Sequence, residues 1–165
     1  MPGQIIWFKD CSYENKHLVG GKCSSLGELH AISRRIGFSI GDGFAITTEM
    51  YDEFVEHNNL GPKIEEMLAT INTEDIKELE EKTKELRKVI SAAALTESQI
   101  VTIKQSYQDL CKLYCRENVE VAVRSSALAE DLPNASFAGQ HDSYLNVVGE
   151  QALLTSVKEC FASLF

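Results

Sequence analysis

The chain has 165 residues, 44% apolar and 25% charged, enough to bury one core and too apolar for a disordered polymer. Sixteen basic against twenty-five acidic residues leave a net charge of −9, which disfavours nucleic acid or an anionic membrane surface as a general partner. No apolar run approaches the length of a bilayer span and the start MPGQIIWFKDCSYE lacks the pattern of a signal peptide, so a cytoplasmic location is expected. The five cysteines are odd in number, scattered and free of any C-x-x-C pair, which suggests neither a disulfide framework nor a zinc site. Cys111 and Cys115, four apart on a predicted helix face, read as small core residues.

In chain order, the apolar run Ile5 to Phe8 suits a first strand. Val19-Gly20-Gly21-Lys22 then leads into a helix predicted from about Lys22 to Arg35, with Leu26, Leu29 and Ile32 on its apolar face. A lysine in a first helical turn opposes the helix dipole, a cost that a bound phosphate would reverse. The segment is not a Walker P-loop, because Lys16 stands in the place of the first glycine and Cys23 in that of Ser or Thr. Gly41-Asp42-Gly43 likewise fails the dinucleotide fingerprint, with Ile46 where a third glycine belongs. Residues 38–46 read as a glycine-broken turn and a short strand, and Thr47 or Thr48 caps a helix through about His57.

From Gly61 to Arg116 the sequence turns charged and helix-forming. Asn72 or Thr73 is predicted to open a helix carrying Ile76, Leu79, Leu86, Val89 and Ile90. Thr96-Glu97-Ser98-Gln99 is a capping box opening another with Ile100, Ile103, Tyr107, Leu110 and Tyr114. The charges between Glu78 and Lys88 suit a solvated face with i,i+4 pairs. A last helix is expected from Gly149 to Phe165, uncapped and ending on two large apolar residues, as in a piece of a longer polypeptide.

The richest stretch lies between, from Val119 to Val147. Val119, Val121 and Val123 alternate with Glu120 and Ala122, so a buried strand would deliver the Arg124 guanidinium and the Ser125 and Ser126 hydroxyls at its end. A turn-rich segment with Asp131, Pro133, Asn134 and Gly139 follows, then a second alternation from Tyr144 to Val147. Residue chemistry alone fits two readings equally: a fixed cation and glycine-exposed amides that receive an anion, or Arg124 paired with Glu130 or Asp131 in a long polar connection. His141 has no Ser, Cys or acidic partner at a recognisable spacing and is read as structural, and His17, His30 and His57 show no metal-ligand spacing.

The string VAVRSSALAEDLPNASFAGQHDSYLNV resembles the signature of the N-terminal nucleotide-binding domain of the phosphoenolpyruvate synthase and pyruvate phosphate dikinase family, which includes the rifampicin phosphotransferases. Two upstream blocks, V-G-G-K-x-x-x-L-G-E-L and GDGFAITTEMYDEF, resemble the same family in the same order. Relatives commonly carry proline before the aspartate of the last block, where this chain has Gly41.

The resemblance implies an α+β (α/β) fold, the first subdomain of an ATP-grasp nucleotide-binding domain, with a mixed sheet, packing helices and a helical insertion at about 61–116. It implies a dikinase-type phosphotransferase whose ATP phosphorylates a histidine on another domain, most directly a phosphoenolpyruvate synthase. A rifampicin phosphotransferase, another dikinase or a non-catalytic nucleotide-binding module stand as alternatives. By resemblance Lys22 and Arg124 are the phosphate-contacting and catalytic cations, Gly139 and Gln140 belong to the phosphate loop, and Ser143 stands near the phosphates. Asp131 would orient Arg124. The expected cofactors are ATP and Mg²⁺, with no metal ligand assigned on this chain. The expected partners are a second ATP-grasp half, a phosphohistidine domain and an acceptor domain.

Overall fold

Strand β1 (Ile5–Trp7) runs antiparallel to β2 (Phe44–Ile46), with Ile6 opposite Ala45 and the Trp7 ring edge-on to Phe44 at 5.8 Å. This is a computed structural model, and residues 3–72, 75–128, 131–132, 135–136 and 142–165 are described. Between the two strands lie a 3₁₀ turn, Phe8–Asp10, and helix α1 (Lys16–Ile36). Helices α2 (Thr48–His57), α3 (Leu60–Ala69), α4 (Ile76–Ala92) and α5 (Glu97–Leu113) follow. Then come β3 (Val121–Arg124), the short pair β4 (Asp131–Leu132) and β5 (Ala135–Ser136), β6 (Ser143–Val147) and α6 (Glu150–Ala162). The α+β class expected from the sequence is met among the described residues by six helices and three two-stranded antiparallel pairs, β1–β2, β3–β6 and β4–β5.

The main core gathers Met50 and Phe54 of α2, Leu86 and Ile90 of α4, Ile103 and Tyr107 of α5, Val147 of β6 and Leu153, Leu154 and Val157 of α6. Val121, Val123 and Tyr144 pack their side of the β3–β6 pair against it, while Ala122, Arg124, Ser143 and Leu145 are exposed. An isolated two-stranded ribbon is marginal in water, so burial of this one face is what fixes its register. Between the Val121↔Val147 and Val123↔Tyr144 partners one residue of β3 faces two of β6, a bulge that Asn146 accommodates at φ 56°.

Polar side chains tie the helices to this ribbon. Tyr107, 2% exposed, donates its hydroxyl to the Val119 carbonyl at 2.7 Å and accepts the Gly149 amide at 2.9 Å, joining α5 to the chain entering β3 and to the start of α6. Gln99 closes the predicted capping box with Thr96, its side-chain oxygen accepting the Thr96 amide, and its fully buried amide group reaches across to the Met50 carbonyl at 2.9 Å. Thr47 caps α2 as the sequence predicts, by accepting the Met50 amide.

Four expectations need correction. The helix predicted to open at Asn72 or Thr73 is capped by Asp75, which accepts the amides of Lys77 and Glu78; Thr73 lies outside the described residues. Helix α5 ends at Leu113, so Cys115 falls beyond it at φ 52° and is exposed, unlike buried Cys111. The last helix ends at Ala162, and the Arg87 guanidinium donates to the Ser163 and Phe165 carbonyls, the latter at 2.7 Å, while Phe165 packs against the core. The fourth concerns α1. Leu29 and Ile32, assigned to its apolar face, are 46% and 44% exposed. Its buried stripe is Ser24, Gly27, His30 and Ser33, because a backbone lies against that side: a methyl on Gly27 would sit 1.9 Å from the Cys11 carbonyl oxygen.

Candidate functional site

The two glycines before Lys22 interrupt α1. Gly20 has φ 77° and ψ 176°, outside helical geometry, and the regular helix resumes at Gly21, close to the predicted start. A helix start leaves its first amides without intrahelical partners. Here the Cys23 amide donates to the Ser126 hydroxyl at 3.0 Å, across a separation of 103 residues. The approach is close. A methyl built on Gly20 would sit 1.5 Å from the Ser126 carbonyl oxygen and 2.6 Å from its hydroxyl oxygen, a space only glycine leaves open. The start of the regular part of α1, which resumes at Gly21, and the end of β3 therefore lie backbone against backbone.

Lys22 stands in the first turn of the resumed helix, one residue before the Cys23 amide. Arg124 ends β3, two residues before Ser126. Both side chains are exposed. Arg124 pairs in register with Ser143 of β6, and its Nε donates toward the Ser143 hydroxyl at 3.4 Å, a long contact. Three of the residues singled out from the sequence, Lys22, Arg124 and Ser143, thus sit on elements that meet at one corner of the fold. Gly139, Gln140 and His141 lie outside the described residues, as do the side chains of Glu130 and Asp131.

Behind this corner the surroundings are apolar. Val19, Cys11 and Ala45 form a small second core with Leu18, Ile6, Phe8 and Cys23 packed on it. Burial pushes the Cys23 thiol up from its ordinary pKa, against the opposing pull of a Ser126 hydrogen bond and the Lys22 charge. Burial, with Cys23 and Asp10 adding to it, pushes the Cys11 thiol up to about 12. Both sulfurs are held as neutral thiols at neutral pH and serve as packing groups.

The third family-like block flanks α1. The Asp42 carboxylate accepts the Gly43 amide at 2.9 Å and lies 3.8 Å from His30 Nε2 of α1, while the Asp42 amide donates to the Tyr114 hydroxyl at 2.7 Å. The Phe8 ring fills the space where a Gly43 side chain would begin, 2.6 Å from that point. Thr48 donates to the His17 carbonyl at 3.2 Å. The block buttresses α1 from the side opposite solvent.

Chemically, the corner offers two exposed cations, a hydroxyl and the positive end of a helix, a set suited to an anion with several oxygens. The model of the pyruvate phosphate dikinase AMP/ATP-binding domain family matches residues 16–165. The chain belongs to this family. Over 161 residues it is 42% identical to a phosphoenolpyruvate synthase of Aquifex aeolicus, covering 98% of this chain and 19% of that protein. The match to a phosphoenolpyruvate synthase of Helicobacter pylori is again 42% over 161 residues, 98% of this chain and 20% of the relative. A probable phosphoenolpyruvate synthase of Methanothermobacter thermautotrophicus is 38% identical over 161 residues, 98% and 23%. The chain spans about a fifth of the length of these curated relatives.

Family membership makes the chain an AMP/ATP-binding domain of dikinase type. Among the described residues no group of three or more His, Cys, Asp or Glu is placed to hold a metal ion. Also among them, no helix is long and apolar enough to cross a membrane.

Lys22 and Arg124 stand out in the sequence, whereas Ser126 reads there only as a hydroxyl delivered by a strand, and Gly20 only as part of a turn. The usable signal was their pairing: a helix start with glycine where a capping side chain can stand leaves its first amides open to a cap from elsewhere.

Proposed function

We propose that this domain is the first subdomain of an ATP-grasp fold and the ATP-binding portion of a phosphoenolpyruvate synthase. In that reaction ATP, pyruvate and water become AMP, phosphoenolpyruvate and phosphate through a phosphohistidine on another domain. The observation that carries the reading is the junction of Gly20–Cys23 with Arg124–Ser126, which puts a helix start and two cations at one corner. In this reading Lys22 and Arg124 engage the polyphosphate, and Ser143, with Gly139 and Gln140 of the adjoining loop, completes its binding. Their task is to fix the phosphate oxygens and offset charge as it develops on the transferring group, since phosphoryl transfer depends more on positioning and electrostatics than on a protein nucleophile.

Mg²⁺ accompanies ATP in this reading and would offset polyphosphate charge, its ligands coming from the rest of the protein along with the histidine and acceptor domains. The helical stretch at about 61–116 is an insertion in the nucleotide fold, and the site of action is the cytoplasm. The names of the relatives favour pyruvate as acceptor.

The test is product analysis of the full-length protein with ATP and pyruvate. Formation of AMP, phosphate and phosphoenolpyruvate in equal amounts is expected. ADP as the sole nucleotide product, or no pyruvate-dependent turnover, contradicts the reading.

A further inference from the structure

Helix α1 is capped in an unusual way. The side chain that meets the third amide of a helix normally belongs to the residue just before its first turn, three positions back, and is Ser, Thr, Asp or Asn. For Cys23 that residue is Gly20, which has none. Nor can it have one, because the Ser126 carbonyl occupies the space into which a Cβ would project. The missing cap is supplied by Ser126 from the far end of β3.

We propose that Ser126 is a positioning residue: by accepting the Cys23 amide it holds the start of α1, and Lys22 with it, in fixed relation to the strand end that carries Arg124. The inference rests on the reading of Lys22 and Arg124 as a polyphosphate cradle and adds the element that sets their relative position. Gly20 and Ser126 act as one device, since the glycine removes the local cap and admits the distant one. The helix start is then ordered only when the two segments are docked, so the cation on it is placed by the same contact that places the arginine. Ser126 touches no reacting atom in this account. It acts through the helix.

The experiment is titration of the full-length protein with ATP and with AMP, for the unaltered chain, Ser126→Ala, Ser126→Thr and Lys22→Ala, with melting temperatures measured in parallel. Loss of the cap should weaken ATP about tenfold in Ser126→Ala and AMP by less than about threefold, because the displaced helix start faces the tail that only ATP carries. Ser126→Thr keeps the hydroxyl and should restore ATP binding to within about threefold of the unaltered protein. General loss of stability would weaken both nucleotides alike and would leave threonine no better than alanine. Either of those outcomes, or unchanged ATP affinity in Ser126→Ala, overturns the positioning role. Lys22→Ala separates the two possible failures. If it binds ATP as the unaltered protein does, the cradle itself is wrong and the positioning role falls with it. If it loses ATP while Ser126→Ala does not, only the positioning role is overturned.

Discussion

Lys22→Ala and Arg124→Ala will each lower ATP-dependent phosphoryl transfer by the full-length protein about 10²- to 10³-fold, the usual cost of removing one oriented charge-stabilising donor from a transferring group. The fold will survive both. Each side chain is exposed, and neither belongs to the hydrophobic clusters that hold the helices together. The described hydrogen bond of Arg124, to Ser143, is long and solvent-facing, so its loss costs on the order of a few tenths of a kcal/mol. Activity and stability should therefore separate, with rates falling by orders of magnitude while the unfolding transition hardly moves. Arg124→Lys is the sharper probe, because lysine keeps the charge and loses the fork that engages two oxygens at once. A rate between those of arginine and alanine is expected. Turnover at the unaltered rate in both alanine variants would remove these residues from the site.

Gly20→Ala will be strongly destabilising, costing about 3–5 kcal/mol of unfolding free energy by denaturant titration. Two causes add. Alanine at φ 77° and ψ 176°, a backbone region essentially reserved for glycine, costs about 1–3 kcal/mol by itself. The new methyl would also lie 1.5 Å from the Ser126 carbonyl oxygen, a backbone atom that cannot move aside without parting α1 from β3. Gly37 provides the control, since it ends α1 at φ 80° with nothing within 4 Å of the added carbon. Gly37→Ala should therefore show a positive-φ cost without any clash, about 1 kcal/mol for left-handed helical geometry. Equal losses at the two positions would mean that the contact between Gly20 and Ser126 carries little of the stability.

Much of this architecture was legible in the residues. The capping box at Thr96, the Thr47 cap, the β2 strand after the glycines and the alternation that makes β3 and β6 all follow local rules, and local rules hold where neighbours are solvent or generic core. Helix α1 broke them. Its period-three leucines and isoleucine suggested a buried stripe, yet the side that is buried is the one with Ser24, Gly27, His30 and Ser33, because the chain at Cys11 approaches Gly27 too closely for a larger side chain. Periodicity reports which face is greasy, and close backbone packing selects the small face instead. The C-terminal turn was misjudged for a similar reason. Its carbonyls are met by Arg87, 76 and 78 residues away in sequence, and no local pattern announces a cap from another helix. The site divided along the same line: Lys22 and Arg124 stood out by chemistry and family-like motif, whereas the tie between their segments is a long-range hydrogen bond through a serine that looked ordinary.

The central claim is that the start of α1 and the end of β3 receive one anionic tail together, and amide hydrogen exchange of the full-length protein with saturating ATP or adenosine tests it most directly. ATP should slow exchange both in the peptide containing residues 20–24 and in that containing residues 124–126, and adenosine, which lacks the tail, should slow neither. Protection by ATP of one segment without the other, or of neither, would contradict the account.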